Sequence, residues 1–447
     1  MHLTPWLLAT AAGIIWGLTP PTPAGALLGL LGAGLLGPAM IGRPLTDALR
    51  FGIAFALWAL IGGTWVIDTF DAWGDPWGVE AFQLVVAAYT VSGLLHGLAA
   101  GWFLRRGLPP ALALALTALS VGWLHGALHP IPVTPGWLLG GFTGGAAIAA
   151  FTGHAGCWAA LLALPRLRNP AAIGSAGLIF VALAQLPPTG GTSYTVGIVE
   201  TGVDLWTVQQ HSAQDRRAAA LHDAAQRIGA VDLVLTPEGA WPYDLRAGGA
   251  DALARWWPHH PPLLLGGDDL HHRHNAIALV ESGDRIDTIA KHALVPSLET
   301  ASYQPGDGAI LLHPAGVPVA TLICYEDLMW TRLWRVARSD AALLALPTSN
   351  VSIGPEVSRW HLLGARLAAA STGRWAVRAA VTGPSAVIDP RGELHALSSW
   401  RASHIDASPS HLLGEVRLRQ PGWTGLHSGA LFAIFAPLLA LAHRRQT

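Results

Sequence analysis

Three side chains with complementary chemistry follow predicted strands in the second half of this chain. Glu238 comes after the apolar run 231–235, Lys291 follows another strand-like stretch, and Cys324 ends the run 317–323. A carboxylate can take the proton of a thiol, the sulfur can attack a carbonyl, and an ammonium can stabilise the oxyanion that forms. Together they indicate nucleophilic acyl chemistry. Alone, Cys324 is better explained as a small buried apolar residue, and Glu238 as an acid at a helix N-terminus.

Lys291 is the single lysine in a chain of 447 residues, against 26 arginines. A coding bias can remove lysines without any functional cause, so the rarity alone decides nothing. An ammonium, however, is a compact point charge whose pKa responds to burial, and a guanidinium cannot replace it in that role. The retained lysine therefore predicts a position that needs an ammonium.

The elements around these residues alternate between strands and helices. Strands are predicted at 194–199, 231–235, 262–266, 275–281, 317–323, 341–346, 375–381 and 384–389, and helices at 208–229, 327–338 and 356–372. This alternation is typical of an α/β layered domain. Cys324 would then lie at a strand-to-helix elbow, where backbone N–H groups favour the thiolate.

The first half of the chain has the composition of a membrane domain, because only eleven of the 55 charged residues precede residue 191. Apolar runs lie at about 5–18, 24–41, 51–67, 81–104, 111–128, 136–164, 171–187 and 424–442. Most approach the roughly 20 residues that a helix needs to cross the hydrocarbon core. We therefore predict about seven membrane helices in 1–187, a globular domain in 188–423, and a C-terminal helix with a short tail in 424–447.

Arginines mark one side of this predicted membrane domain. They lie in the connections after the second, fourth and sixth spans and in the tail: Arg43, Arg50, Arg105, Arg106, Arg166, Arg168, Arg444 and Arg445. The connection 68–80 carries four acids and no basic residue. Short basic loops stay in the cytoplasm. We therefore expect both termini to be cytoplasmic and the domain 188–423 to be periplasmic.

Composition also argues against several functions. The formal net charge is −1 and no basic run could follow a phosphate backbone, so nucleic-acid binding has no support. Cys157 and Cys324 fall in different predicted domains, so neither a disulfide nor a cysteine-based metal site is predicted. His96 and His125 lie within apolar runs, where histidines are more often hydrogen-bonded between helices than part of a proton relay.

Three motifs carry a family resemblance: Leu235-Thr236-Pro237-Glu238-Gly239, Lys291-His292-Ala293-Leu294-Val295-Pro296 and Leu322-Ile323-Cys324-Tyr325-Glu326. In order and approximate spacing they resemble the Glu, Lys and Cys motifs of the carbon–nitrogen hydrolase (nitrilase) superfamily. With the eight predicted spans, the chain is similar more narrowly to the apolipoprotein N-acyltransferase family. The resemblance implies an αββα sandwich in which Glu238 is the general base, Lys291 the oxyanion stabiliser and Cys324 the nucleophile.

The same resemblance implies supporting residues, a reaction and a location. Glu299 would orient the ammonium, Tyr325 and Glu326 would be neighbours of the nucleophile, and Asn275 would support the site. Cys324 would take an acyl chain from a phospholipid donor as a thioester and pass it to the amine of a lipoprotein acceptor. No metal or diffusible cofactor is implied. The expected enzyme is a monomer in the bacterial inner membrane, in contact with membrane lipids.

Some segments depart from that family's pattern. Ser349-Asn350 continues into 351–355 without the usual aromatic pair, Glu200 stands where a glutamine is common, and 368–372 lacks a frequent glutamate. The pattern also resembles the TraB-type membrane proteins of conjugal transfer. Two alternatives therefore stay open: a transfer protein whose nitrilase-like domain has an uncertain substrate, or a membrane-tethered amidase that uses water as the acceptor.

Overall fold

The computed structural model of the chain divides into two units, with the boundary near residue 187. The structure describes residues 3–72, 74–128, 131, 133–141, 146, 154–166, 191–203, 208, 213–245, 257, 261–282, 284–296, 298–401 and 409–418. The predicted spans 171–187 and 424–442 lie outside these residues, as do Arg168, Arg444 and Arg445. The expectations that rest on them stay predictions.

The first unit is helical. Its helices are α1 (Thr4–Leu18), α2 (Pro23–Ala39), α3 (Pro44–Gly62), α4 (Trp65–Ala72), α5 (Gly78–Arg105), α6 (Pro110–Leu128) and α7 (His154–Ala163), with 3₁₀ turns at Pro135–Gly141 and Leu164–Arg166. Among the described residues, α3 and α5 are long and apolar enough to cross a membrane. The helices α1 and α2 and the segment Pro110–Gly122 of α6 are apolar but shorter. The unit is thus an apolar helical unit, and its full set of spans stays a prediction.

Three details of this unit differ from the sequence prediction. Arg50, predicted to lie in a connection, is a buried residue of α3, because that helix begins at Pro44. The acidic connection 68–80 is not entirely loop, because the helix α4 occupies Trp65–Ala72 and has Asp68 in its first turn. The carboxylate of Asp68 is favoured there by the positive end of the helix dipole. The helix was not predicted because eight residues are too few to show a clear helical period. The single apolar run 136–164 contains two separate described elements, the 3₁₀ turn at Pro135–Gly141 and α7.

His96 and His125 are buried and hydrogen-bonded between helices, as predicted. The Nδ1 atom of His96 lies 2.8 Å from the backbone oxygen of Ser92, and its Nε2 accepts a bond of 3.0 Å from Trp158 Nε1. The Oγ of Ser92 lies 2.8 Å from Nδ1 of His125. These bonds connect α5, α6 and α7, and they satisfy polar groups that would otherwise be costly to bury.

The described residues of the second unit contain two six-stranded sheets. The strands are β1 (Ser193–Glu200), β2 (Leu233–Leu235), β3 (Leu263–Asp269), β4 (His274–Glu281), β5 (Asp284–Ala290), β6 (Leu311–Leu312), β7 (Val319–Thr321), β8 (Leu343–Thr348), β9 (Ala376–Ala380), β10 (Ala386–Ile388), β11 (Leu394–Leu397) and β12 (Ser410–Arg417). The first sheet has the order β12-β1-β2-β3-β4-β5 and the second β11-β10-β9-β8-β7-β6. Strands β1 to β3 are parallel to one another, as are β7 to β9.

Helices cover the outer face of each sheet, which gives the predicted αββα sandwich. Inward-facing side chains such as Leu235, Ile277 and Ala345 form one core between the sheets. Helix α8 (Gln214–Arg227) packs on the other face of the first sheet, and α9 (Trp330–Arg338) and α10 (Gly354–Thr372) on that of the second. Successive residues of a strand point to opposite faces. A strand covered on both sides is therefore buried on both faces, and all six residues of β8, which are mostly apolar, are buried.

Candidate active site

Glu238, Lys291 and Cys324 lie in three loops that follow β2, β5 and β7. Strands β2 and β5 point the same way, because β3 is parallel to β2 while β4 reverses direction between β3 and β5. Their carboxyl ends therefore reach the same edge of the first sheet. Lys291 stays in register beyond β5, since its N–H donates to the carbonyl of Asn275 at 2.8 Å. The structure thus brings the three predicted residues together, with Cys324 supplied by the second sheet.

The Lys291 ammonium is fully buried between two carboxylates. Its Nζ lies 2.8 Å from Oε1 of Glu238 and 2.6 Å from Oε1 of Glu299. Burial by itself lowers the pKa of Lys291, but the charges of the two glutamates outweigh it and raise that pKa well above its usual value. The lysine is therefore an ammonium at neutral pH, and the carboxylates offset the cost of burying its charge.

Glu238 receives hydrogen bonds on both carboxylate oxygens. Oε1 accepts from Asn275 Nδ2 at 2.6 Å as well as from Lys291, and Oε2 accepts from the N–H of Ser349 at 2.8 Å. The side chain of Cys324 lies close enough to lower the pKa of this carboxylate as well. Burial raises the pKa of Glu238, but the Lys291 charge and these hydrogen bonds bring it below the usual glutamate value. Glu238 is therefore ionised at neutral pH and can accept a proton.

Cys324 starts a 3₁₀ turn, Cys324–Leu328, and has a φ angle of 51°. The left-handed region is unfavourable for a residue with a Cβ atom, so the surrounding fold must hold the cysteine there. Burial and the charge of Glu238 raise the pKa of the Cys324 thiol well above its usual value, although Lys291 opposes them. The expectation that the elbow favours a thiolate is therefore wrong. The short 3₁₀ turn does not supply the field of an α-helix N-terminus, and the thiol stays protonated until Glu238 takes its proton.

Glu299 is the second carboxylate against the ammonium. Its Oε2 accepts a hydrogen bond of 2.7 Å from the N–H of Val295, which leaves Oε1 directed at Lys291. Burial raises the pKa of Glu299; Lys291 lowers it, and the like charge of Glu238 raises it further, so that it ends above the usual value. Two carboxylates that share one cation repel each other, so their pKa values separate. Glu238 keeps the lower pKa and is the better placed base for the thiol.

Glu326 ties the turn of the nucleophile to the loop of the lysine. Its Oε1 accepts hydrogen bonds of 3.1 Å from the N–H groups of both His292 and Ala293, and its Oε2 accepts from Ile323 N at 3.0 Å. The guanidinium of Arg332 lies 3.0 Å from the same carboxylate. A fully buried acid with these partners fixes two loops relative to each other, so its contacts are those of a positioning residue.

Tyr325 directly follows the nucleophile and is half-buried. Burial raises its pKa; the Lys291 charge lowers it, and that of Glu299 raises it. Tyr325 is therefore close enough to the site to sense both charges, and its phenol stays protonated over the neutral range. This placement agrees with the predicted neighbour of the nucleophile.

Ser349 was not predicted as a site residue, yet its peptide contacts both reacting groups. Its N–H donates to Glu238, and its carbonyl oxygen lies 3.4 Å from Sγ of Cys324. The next residue, Asn350, is fully buried and accepts a hydrogen bond of 2.9 Å from Thr382 Oγ1, which holds this peptide in place. Because Ser349 acts through its backbone, its side-chain type gives no signal. In the sequence, Ser349 was indicated by the end of the apolar run 341–346 and by the Ser349-Asn350 pair noted in the family pattern, but neither pointed to a role for its backbone.

A separate group of possible metal ligands lies on another part of the domain. One ligand atom from each of Asp389, Glu393 and His395 falls within 4.8 Å of the others. The guanidinium of Arg391 already pairs with both acids, at 2.7 and 2.6 Å. A cation would have to displace this guanidinium, so the group is better explained as an ion-pair network.

The chain is similar to known proteins over most of its length. Residues 180–408 match the carbon–nitrogen hydrolase family. The apolipoprotein N-acyltransferase of Azotobacter vinelandii is 30% identical, over 87% of this chain and 86% of that protein. The protein of the same name from Ralstonia nicotianae is 27% identical over 90% and 86%. An amidase structure from Nesterenkonia sp. aligns over 56% of this chain and 98% of its own, at 19% identity and a TM-score of 0.40. The chain therefore belongs to the apolipoprotein N-acyltransferase family of the carbon–nitrogen hydrolase superfamily.

Proposed function

We propose that this chain is a membrane-bound N-acyltransferase that moves an acyl chain from a phospholipid, through a thioester on Cys324, to the amino terminus of a lipoprotein. Family membership and the apolar helical unit support the activity and its membrane setting. The observation that carries the proposal is the arrangement around the buried carboxylate of Glu238: Lys291 Nζ lies 2.8 Å from it, and the backbone of Ser349 contacts both this carboxylate and the half-buried thiol of Cys324. A base, a nucleophile and a cation in contact are the requirements of covalent acyl transfer.

In the first half of the reaction, Cys324 becomes acylated. Glu238 takes the thiol proton as Sγ attacks the ester carbonyl of the phospholipid. The ammonium of Lys291 stabilises the negative charge that develops on the carbonyl oxygen. When the tetrahedral intermediate collapses, the carbon–oxygen ester bond breaks and the departing lysophospholipid oxygen takes the proton back from Glu238. The product on the protein is a thioester.

In the second half, the free α-amine of the lipoprotein attacks the thioester carbonyl. Glu238 removes the proton that the nitrogen must lose, and Lys291 stabilises the second oxyanion. Collapse breaks the carbon–sulfur bond and forms the amide, and the Cys324 sulfur regains its proton from Glu238. Both substrates carry acyl chains that stay in a bilayer, which is why an apolar helical unit suits this reaction.

Expression of this chain is expected to sustain growth of a bacterium that has been depleted of its own apolipoprotein N-acyltransferase. The Cys324→Ala variant, at equal abundance in the membrane, is expected to fail because the thioester cannot form. Growth with Cys324→Ala would exclude the covalent route. If neither protein supports growth, release of ammonia from amides by the wild type would favour the amidase alternative. Neighbouring conjugation genes would favour the transfer protein.

We further propose that the domain 188–423 is periplasmic and both termini are cytoplasmic, because the arginine-bearing connections fall on one side. Alkaline phosphatase fused within that domain is expected to be active, whereas fusions in the Arg105–Arg106 connection are expected to be inactive. A cytoplasmic fluorescent protein should give the opposite pattern. Active phosphatase at Arg105–Arg106, together with inactive fusions in the domain, would invert the orientation.

A further inference from the structure

The turn between β3 and β4, residues 270–273, lies beside the loop that carries Glu299. Asp268 of β3 is the direct cross-strand partner of Asn275 in β4. Side chains of such a pair share one face of the sheet, and Asn275 donates to Glu238. Asp268 is therefore on the face of the first sheet that carries the proposed base.

Asp268 holds Tyr303, and Tyr303 belongs to the segment of Glu299. The hydroxyl of Tyr303 lies 3.1 and 3.2 Å from the two carboxylate oxygens of Asp268. The backbone N–H of Tyr303 donates to the carbonyl of Glu299 at 2.8 Å. A short chain of contacts thus leads from the end of β3 to the residue that bears the second acid of the site.

Arg273, at the other end of the turn, is hydrogen-bonded to the same segment, residues 299–304. Its Nε donates to the carbonyl of Ser302 at 3.0 Å and its Nη2 to that of Ala301 at 2.8 Å. Its own carbonyl accepts from the N–H of Gln304 at 2.7 Å. Two adjacent carbonyls suit the fork of a guanidinium, which an ammonium cannot reproduce. Arg273 has a φ angle of 55°, so the chain carries a side chain where glycine or asparagine would be easier to accommodate.

We propose that Arg273 and Asp268 are positioning residues for Glu299: they fix the segment 299–304 so that its carboxylate stays against the Lys291 ammonium. The inference rests on the proposed function, because it assigns a supporting device to that site. If the segment moves away, Lys291 loses one of its two carboxylates and pairs more strongly with Glu238. Glu238 then becomes a weaker base for the thiol, and acylation of Cys324 slows.

The charges around Asp268 agree with this arrangement. The pKa of Asp268 is raised to about 6: burial is the largest cause, the Tyr303 hydroxyl opposes it, and the charges of Glu238, Asp244 and Glu299 add to it. Asp268 is therefore coupled electrostatically to both acids that contact Lys291. Its carboxylate is stabilised by the tyrosine that it holds.

Arg273→Asn tests the proposal, because asparagine tolerates the left-handed backbone and its short amide lacks the guanidinium that binds the two carbonyls. Two rates are measured on the full-length protein in detergent: thioester formation on Cys324 with phosphatidylethanolamine, and alkylation of Cys324 by iodoacetamide across pH. A displacement of about 1 Å can cost about 10²-fold, so we expect a loss of about tenfold for a segment that stays partly held. The acid limb of the alkylation profile should move to lower pH, because Glu238 then pairs more strongly with Lys291.

Glu299→Gln should move the acid limb in the same direction, and adding Arg273→Asn to it should cause little further loss, since both changes act through one carboxylate. Arg216→Asn, on the exposed side of α8, is the matched control and should leave both rates unchanged. Tyr303→Phe removes a single hydroxyl from the same segment and should slow alkylation as well. This variant tests the proposal if Arg273→Asn does not fold.

A folded Arg273→Asn protein with wild-type rates would overturn the proposal, as would losses that multiply with those of Glu299→Gln. An unchanged alkylation rate in Tyr303→Phe would do the same if Arg273→Asn fails to fold. The proposed function fails separately, when the wild type forms no thioester with any phospholipid. Alkylation needs no phospholipid, so it still reports on the positioning of Glu299 in that case.

Discussion

Lys291→Arg is expected to slow acylation of Cys324 by about 10²–10³-fold, nearly as much as Lys291→Ala, although it keeps the positive charge. The ammonium is fully buried, with Nζ 2.8 Å from Glu238 and 2.6 Å from Glu299. A guanidinium is larger and planar, and directs its donors as a fork. Within this space it would push the carboxylates apart, and no single donor would be aimed at the oxyanion.

Single-turnover acylation by phosphatidylethanolamine measures this effect in the two variants and the wild type. Arg216→Lys, an exposed exchange of the same two residue types, is the control and should acylate at the wild-type rate. An arginine variant within about twofold of the wild type, in an assay for which Cys324 is essential, would show that Lys291 supplies only its charge.

The central chemistry of the site could be predicted because Glu238 and Cys324 each follow a predicted strand and Lys291 follows a strand-like stretch, which the structure shows as β5. Loops at the ends of neighbouring strands converge, so side chains far apart in sequence meet at one sheet edge. Residue types that act through their side chains are visible in such a pattern, as is the unusual retention of one lysine. The αββα sandwich followed from the family resemblance, and the alternation of strands and helices alone gave only an α/β layered domain.

The remaining contacts could not be predicted, because they depend on backbone groups or on short elements. Ser349 contacts the site through its N–H and carbonyl, and Arg273 binds two backbone carbonyls. Backbone groups are the same in every residue, so the sequence does not indicate these contacts. Strand β6 has two residues, and β12 alternates exposed and half-buried side chains at the edge of its sheet. Neither forms the apolar run by which buried strands are recognised. The protonation of Cys324 was also mispredicted, since it depends on burial and on a carboxylate from another loop.

Wild-type protein incubated with phospholipid and no acceptor is expected to accumulate an acyl group on Cys324. The thioester forms in the first half of the proposed reaction and needs the amine for its removal. Intact-mass measurement shows the added chain, and neutral hydroxylamine should release it, as it would not release an amide or an ether. Cys324→Ala should form none, whereas Cys157→Ala should behave like the wild type, since Cys157 lies in the helical unit.

The effect of Glu238→Gln separates the roles of the two reacting groups. Glu238 has a lowered pKa and the Cys324 thiol a raised one, so in the wild type the carboxylate must take the thiol proton as sulfur attacks. Acylation should therefore be constant near neutral pH and fall in acid as Glu238 becomes protonated. In Glu238→Gln it should be slow and should rise only in alkali, where the thiol ionises without help. If folded wild-type protein forms no thioester with any of several phospholipids, acyl transfer is excluded and the conjugation-associated alternative is favoured. If Glu238→Gln keeps the wild-type pH profile, a different group accepts the thiol proton.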